Sequence, residues 1–308
     1  MRSELRRDYI QNKVVIIAPR RGKRPHDVIT KKPKLALDNT KCVFCPHNQK
    51  GIKALCMNGN DKNWTLKIID NKFPAVQLDN PKAYGVQEVV IETPRHNVEL
   101  HELPLPQIEA LIRSYATRTK QLTKIKDIEY ILIFKNEGAD AGASLQHAHS
   151  QIFATSLLPP HLFDKSQRID AYQIQHGTCV YCDVIKDEIR KKTRMVYNDS
   201  NVVAFTPYAS MHNYELWIMP KRHIDNVTCL NKKEITSFAK ILKRALAKID
   251  ALDLPYNYYF HQVVFDKDQH LYLKITPRGS KWAGVEIGSG VIINPVSPED
   301  AAEYYRTK

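Results

Sequence analysis

The chain has 308 residues, 43% hydrophobic and 26% charged, values of an ordinary folded protein rather than a disordered or fibrous one. That length suits two domains or one fused pair of similar halves. A formal net charge of +13 favours anionic partners, whether phosphorylated metabolites, nucleic acid or acidic surfaces, but the basic residues are scattered as on a solvated lysine-rich surface and do not choose among these.

The stretch from Met1 to Lys13 carries charges of both signs and no apolar run, so it does not read as a secretory signal. No segment approaches the roughly 20 apolar residues of a membrane span. Both readings predict a cytoplasmic protein with no membrane partner. Six cysteines in a reducing compartment suggest metal before disulfide, and four of them form two C-x-x-C pairs, Cys42/Cys45 and Cys179/Cys182. A redox role for these pairs needs a thioredoxin-like βαβ context that the flanks do not show. Cys56 and Cys229 lack spaced partners and read as ordinary thiols.

Downstream of Cys45, Val89-Val90-Ile91 predicts a strand inside E-V-V-I-E-T-P-R-H, which ends at His96. Ile108, Leu111, Ile112, Tyr115 and Leu122 share one face of a predicted helix. Tyr130 to Phe134 predicts another strand, leading through the small-residue run Gly138 to Ser144 into His147 and His149. Pro159 and Pro160, with the polar run to Gly177, mark a boundary between the halves. Beyond it the series repeats. Cys179 and Cys182 precede E-L-W-I-M-P-K-R-H, ending at His223. Ile235, Phe238, Leu242, Ala245, Leu246 and Ile249 stripe a helix that Asn231 and Glu234 open as a capping box. Tyr256 to Phe260 then leads to His270.

The same signals in the same order indicate a duplication. The expected fold class is α+β, each half an antiparallel sheet with a packed helix, divided as 1–160 and 161–308. A tetrahedral zinc ion needs four nitrogen or sulfur ligands, and a C-x-x-C turn supplies two thiolates at fixed geometry. Cys42, Cys45, His96 and His147 form one such set and Cys179, Cys182, His223 and His270 a second, so two zinc ions per chain are expected. The unrepeated His47, His101, His161, His176 and His212 read as ordinary surface or core residues, and His261 is left open.

In H-A-H-S-Q, His147, His149 and Gln151 alternate with Ala148 and Ser150, so on a strand all three polar groups share a face. A neutral imidazole is a competent nucleophile toward phosphorus, which makes His149 the candidate for covalent catalysis beside a metal ligand. Gln151 can donate to a phosphate oxygen but cannot titrate. The backbone N–H groups of 138–144 and the Ser144 hydroxyl suit close approach to phosphate.

These segments resemble the galactose-1-phosphate uridylyltransferase branch of the histidine-triad superfamily over nearly the whole chain. The resemblance rests on A-P-R-R-G-K-R-P (18–25), C-V-F-C (42–45), D-N-K-F-P-A (70–75), E-V-V-I-E-T-P-R-H (88–96), the run from Asn136 to Gln151, P-K-R-H (220–223) and 284–302. It implies tandem histidine-triad-like halves and ping-pong transfer of a nucleotidyl group between a nucleoside-diphosphate sugar and a sugar 1-phosphate. The family's nucleophile falls on His149, its phosphate-orienting glutamine on Gln151 and its phosphate-contacting serine on Ser144. Its site asparagine falls on Asn136, its phosphate-binding arginines on Arg21 and Arg24, and a nucleotide-site position on Asn71. Lys281 and Glu286 fall near sugar-site positions, and relatives imply a homodimer in which the partner completes that site.

Departures also carry information. The family commonly shows H-P-H-G-Q, whereas G-A-S-L-Q-H-A-H-S-Q is closer to ADP-glucose phosphorylase. His270-Leu271-Tyr272 leaves the second half without a nucleophile. Lys165 occupies the place of an acidic ligand in iron-type relatives, and Val285 that of an aromatic residue. The leading expectation is a hexose-1-phosphate uridylyltransferase, with an ADP-sugar or dinucleoside-polyphosphate phosphorylase as the alternative. A basic zinc protein that binds nucleic acid is the reading from another class, and no RNP or KH signature supports it.

Overall fold

A computed structural model of the chain describes residues 2–23, 39–265 and 269–307. In chain order the strands and helices are β1 (Glu4–Arg7), β2 (Val14–Ile17), β3 (Cys56–Gly59), β4 (Trp64–Asp70), β5 (Gly85–Ile91), α1 (Leu105–Leu122), β6 (Tyr130–Glu137) and β7 (His149–Thr155). They continue with α2 (Pro160–His176), α3 (Val180–Lys191), β8 (Met195–Asn198), β9 (Val202–Phe205), β10 (Leu216–Pro220) and α4 (Lys232–Asp250). Last come β11 (Tyr256–His261), β12 (Tyr272–Pro277), α5 (Gly284–Ser289), β13 (Ile292–Asn294) and α6 (Pro298–Arg306). None of the described helices is long and apolar enough to cross a membrane.

Ten strands form one sheet in the order β3-β4-β5-β7-β6-β11-β12-β10-β9-β8. Read outward from the centre, the first half runs β6, β7, β5, β4, β3 and the second β11, β12, β10, β9, β8, the same path twice. The expected duplication is therefore present in the topology. The halves meet at an antiparallel seam in which Asn257 pairs with Asn136 and Tyr258 with Lys135.

One face of the sheet is covered by α1 and α4, and the striped residues expected from both sequences lie in this core. Asn231 Oδ1 accepts from the Glu234 N–H at 3.0 Å and Glu234 Oε2 from the Asn231 N–H at 2.8 Å, the capping box read from the sequence. On the opposite face the halves differ. The first carries a small cluster of Cys42, Phe44, Cys45, Trp64, Val89 and Ile91 and remains open beside it. In the second, α2 and α3 lay Ile169, Val180, Tyr181 and Ile185 over Trp217 and Tyr272.

Two features depart from expectation. The polar run after Pro160 is a helix, α2, entered at Pro159 and closed by Gly177 at φ +69°. Proline tolerates a first turn and glycine the left-handed exit, while Leu162, Lys165 and Ile169 are buried along it. A separate sheet of β1, β2 and β13, with β13 parallel to β2, packs Val15, Ile17 and Ile292 on Ala209 and Met211. Its strands are three or four residues long, too short for an alternation pattern to stand out.

Candidate active site and metal centres

The ligand atoms of Cys42, Cys45, His96 and His147 lie within 4.8 Å of one another, and so do those of Cys179, Cys182, His223 and His270. The C-x-x-C turn before β3, the turn after β5 and the entry to β7 converge to build the first set. In it Cys42 Sγ is 3.5 Å from His147 Nδ1, and Cys45 Sγ is 3.3 Å from His96 Nδ1 and 3.6 Å from His147 Nδ1. Tetrahedral bonds of about 2.3 Å to sulfur and about 2.0 Å to nitrogen would put those atoms about 3.5 Å apart. The donor set thus has the size and chemistry of a closed four-ligand metal site. In the second set Cys182 Sγ lies 3.5 Å from His223 Nδ1 and 3.6 Å from His270 Nδ1.

The duplication extends to what orients the ligands. His147 Nε2 donates to the Thr93 carbonyl at 2.7 Å, and His270 Nε2 to the Pro220 carbonyl at 2.9 Å. Thr93 stands three residues before His96, as Pro220 does before His223. Each carbonyl fixes the proton on Nε2 and leaves the Nδ1 lone pair facing the cluster.

His147, His149 and Gln151 project to the open face, and Ser150 to the other, where its Oγ meets the Tyr115 hydroxyl at 2.6 Å. His149 is 8% exposed, and its Nδ1 donates to the His147 carbonyl at 2.8 Å. That bond places the free lone pair on Nε2. Burial, aided by the charge of Lys135, holds the imidazole down to about 4, so it is neutral near pH 7. Phe44, inside the C-V-F-C turn, packs its ring 5.0 Å from that of His149 and 6.1 Å from that of His147. The metal-ready loop is therefore also the wall against which His149 rests.

Around His149 a pocket is lined by Glu99, Asn136, Gly138, Ala139, Ala143 and Leu145 among others. Gly138 has φ +83°, and a Cβ there would sit 2.6 Å from Pro255 Cβ, so glycine is required at the loop's start. Asn136 Oδ1 accepts from Asn257 Nδ2 at 2.8 Å, which turns its own amide N–H groups toward the pocket. Gln151 Oε1 accepts from Gln87 Nε2 at 2.8 Å and from Asn71 Nδ2 at 3.5 Å, leaving Gln151 Nε2 as the donor. Ser144 is exposed on the loop between Ala143 and Leu145. Lys281 pairs with Asp140 of that loop at 3.2 Å, both exposed. Glu286 caps α5 through the Ala283 N–H at 3.0 Å, and the charge of Arg21 lies near it, so these two are grouped with each other rather than in the lining of the His149 pocket. Arg24 lies outside the described residues.

Sequence reasoning passed over Phe44, Gln87 and Lys135. Gln87 shares the face of Val89 and Ile91, so period-two reading of β5 points it at the site. Lys135 continues the core-facing series Ile131 and Ile133, a position where a charge demands a buried partner. It has one: its Nζ is 2.8 Å from Glu92 Oε2, 3.5 Å from Glu99 Oε2 and 3.4 Å from the His149 carbonyl. Burial opposes the ammonium, but Glu92 and Glu99 outweigh it and keep Lys135 above the ordinary lysine value.

In the second half Tyr272 stands where His149 does in the first, two residues past the last ligand. Lys165 of α2 reaches over it, donating to the Tyr272 hydroxyl at 2.6 Å. Burial pushes Lys165 down from 10.5 to about 7, with Lys274 and Lys13 adding to the push and Asp8 resisting it. A lysine depressed in the folded state costs stability fully below pH 7, and the cost fades as pH rises toward the unfolded value. Lys165→Met is therefore expected to stabilise the chain by about 1–3 kcal/mol near pH 6, a gain that shrinks toward pH 10. Chemical denaturation across that range measures it, and a gain that grows with pH would contradict the assignment.

Fold and donor sets together define a duplicated α+β protein that carries, among the described residues, two metal-ready centres and a pocket beside His149. The chain belongs to the galactose-1-phosphate uridyl transferase family, whose N-terminal domain matches residues 1–159 and whose C-terminal domain matches residues 165–277. It is 32% identical to ADP-glucose phosphorylase of Arabidopsis thaliana, over 98% of this chain and 92% of that relative. It is 33% identical to galactose-1-phosphate uridylyltransferase of Thermotoga maritima, over 82% of this chain and 88% of that relative. The crystal structure of the Arabidopsis thaliana ADP-glucose phosphorylase with bound ADP-glucose matches with a TM-score of 0.86 at 32% identity, covering 100% of this chain and 99% of the other. A uridylyltransferase structure matches with a TM-score of 0.77 at 27% identity, covering 98% and 97%.

Proposed function

We propose that this chain is a nucleotidylyltransferase of the hexose-1-phosphate uridylyltransferase type, working through a nucleotidyl-histidine on His149. The observation that carries the reading is the Nδ1 bond from His149 to the His147 carbonyl, which leaves Nε2 as a neutral nucleophile at the pocket. Nε2 attacks the α-phosphorus of a nucleoside-diphosphate sugar, a P–N bond forms, and the P–O bond to the sugar 1-phosphate breaks. The positive charge that develops on the imidazole is stabilised by its donation to the carbonyl. Gln151 Nε2 and the Asn136 amide donate to the non-bridging oxygens, with Ser144 and the loop N–H groups beside them. An oxygen of a second sugar 1-phosphate then attacks phosphorus, the P–N bond breaks and neutral His149 is restored.

Zinc suits both donor sets, where four protein ligands close the shell and the ion has a structural role. The first half, 1–160, would carry the chemistry and the second, 161–308, the degenerate counterpart. Because Arg21 and Glu286 are grouped apart from the His149 pocket, a cytoplasmic homodimer would let a partner's copies of them, with Lys281, complete the sugar site.

The alternative of an ADP-sugar phosphorylase, with inorganic phosphate as acceptor, is supported by the likeness to the Arabidopsis relative along the whole chain. Intact mass after mixing with UDP-glucose or ADP-glucose tests both. A gain of about 306 Da marks a uridylyl adduct and about 329 Da an adenylyl adduct. No adduct with either donor would overturn the covalent route.

Gln87 fixes which end of the Gln151 amide faces phosphate. Gln87→Leu removes that constraint and is expected to lower kcat by roughly tenfold with little change in KM, since the lost bond serves charge that builds in the transition state. Steady-state kinetics decide, and an unchanged kcat would refute the role.

A further inference from the structure

The open face carries a second concavity beside the His149 pocket, a trough over the seam between β6 and β11. Register identifies it. Tyr272 and Lys274 follow His270 at the steps by which His149 and Gln151 follow His147. Gln151 pairs with Phe134 across β6 and Lys274 with Tyr259 across β11, so the counterpart of Asn136 is His261. Tyr272 and His261 both line the trough. It is the second half's version of the catalytic pocket, with the nucleophile exchanged for a phenol, the asparagine for an imidazole, and Lys165 brought in from α2.

The exchanges change what the concavity can hold. Lys165 is 4% exposed and donates only to neutral groups, the Tyr272 hydroxyl at 2.6 Å and His261 Nε2 at 3.4 Å. Lys13 and His161 stand exposed at the rim, and among the described residues of the lining there is no carboxylate. Of the acids whose fields reach the trough, Glu215 Oε1 is 2.8 Å from Lys274, Asp8 Oδ1 accepts from the N–H groups of Ile10 and Gln11 at 3.0 and 2.7 Å, and Asp164 acts on His161 at the rim rather than on the buried Lys165. A buried ammonium that faces neutral acceptors and like charges lacks a counter-ion. The depressed lysine described above is the same imbalance expressed as proton affinity. A phosphate group is the anion that matches several converging N–H donors. Beside the cations, the cross-strand pair Phe134 and Tyr259 offers aromatic surface to a planar ring, and the Gln11 amide with the side-chain carbonyl of Asn257, whose Nδ2 is already engaged, offers hydrogen bonds to its edge.

We propose that this trough is a second, non-reactive nucleotide site, in which Lys165, Lys13 and His161 hold the phosphate of a mononucleotide and Phe134 with Tyr259 receive its base. The site needs no covalent step. Asn136 lines both concavities, so the two sites share a wall.

Calorimetric titration of the full chain with AMP, UMP and inorganic phosphate tests the proposal, run in parallel with the His149 adduct measurement. A nucleotide-binding event is expected that weakens by about tenfold or more in Lys165→Met and in Lys13→Ala, and that inorganic phosphate displaces. Nucleotidyl-protein should form to the same extent in both variants as in the native chain. Nucleotide affinity untouched by either substitution, or binding that phosphate does not displace, would overturn the site. Loss of the adduct in both variants would also overturn it, since those lysines would then serve the catalytic pocket. Failure of the adduct in the native chain would instead count against the transfer reading and leave the titration to judge the trough.

Discussion

Replacing His149 with alanine is expected to lower nucleotidyl transfer by roughly four orders of magnitude or more, because the covalent route then has no nucleophile and direct displacement must proceed unaided. Metal content should stay near that of the native chain, since the His149 side chain is outside both donor sets and its hydrogen bond is local, to the His147 carbonyl. Removing a buried ring against Phe44 leaves a small cavity, worth a few kcal/mol at most. Intact mass with a nucleotide sugar should show no adduct. Turnover within tenfold of native would sink the assignment.

His147→Ala should behave differently. It removes one of four donors from the first metal set and leaves Cys42, Cys45 and His96 without the ligand that joins them to β7. Zinc per chain is expected to fall from two toward one, with a loss of at least about 3 kcal/mol of stability, or roughly 6 °C or more in Tm. Activity should fall too, since Phe44 rides on the same turn and walls His149. Elemental analysis together with calorimetry reads this, and a variant that keeps both ions and its native melting temperature would remove the metal reading of the site. A chelator acting on the native chain should reproduce both losses together.

Much of this arrangement can be read along the chain because its signals are local. The stripes of α1 and α4 repeat with helical period, Asn231 and Glu234 stand at capping distance, and both C-x-x-C pairs recur with their histidines in order. Other features depend on which strands become neighbours. Asn257 orients Asn136 across the seam, and Tyr258 joins Tyr115 and Glu92 behind the site at 2.9 and 3.4 Å. None of those contacts follows from spacing, since the residues in each pair are more than a hundred positions apart. The helix α2 was hidden for another reason: its buried face includes Lys165, so composition alone makes it look like a solvated connector.

The seam between β6 and β11 has a consequence for how such a molecule can arise. Cut apart there, each half would expose a full-length edge strand whose unpaired N–H and C=O groups seek another strand. A polypeptide the size of one half would meet that demand most simply by pairing with its own twin, which yields a symmetric ten-stranded sheet with two equal sites. Joining two such copies in one chain makes the pairing permanent and independent of concentration. From then on each copy can drift alone, and one has kept an imidazole where the other now holds a phenol.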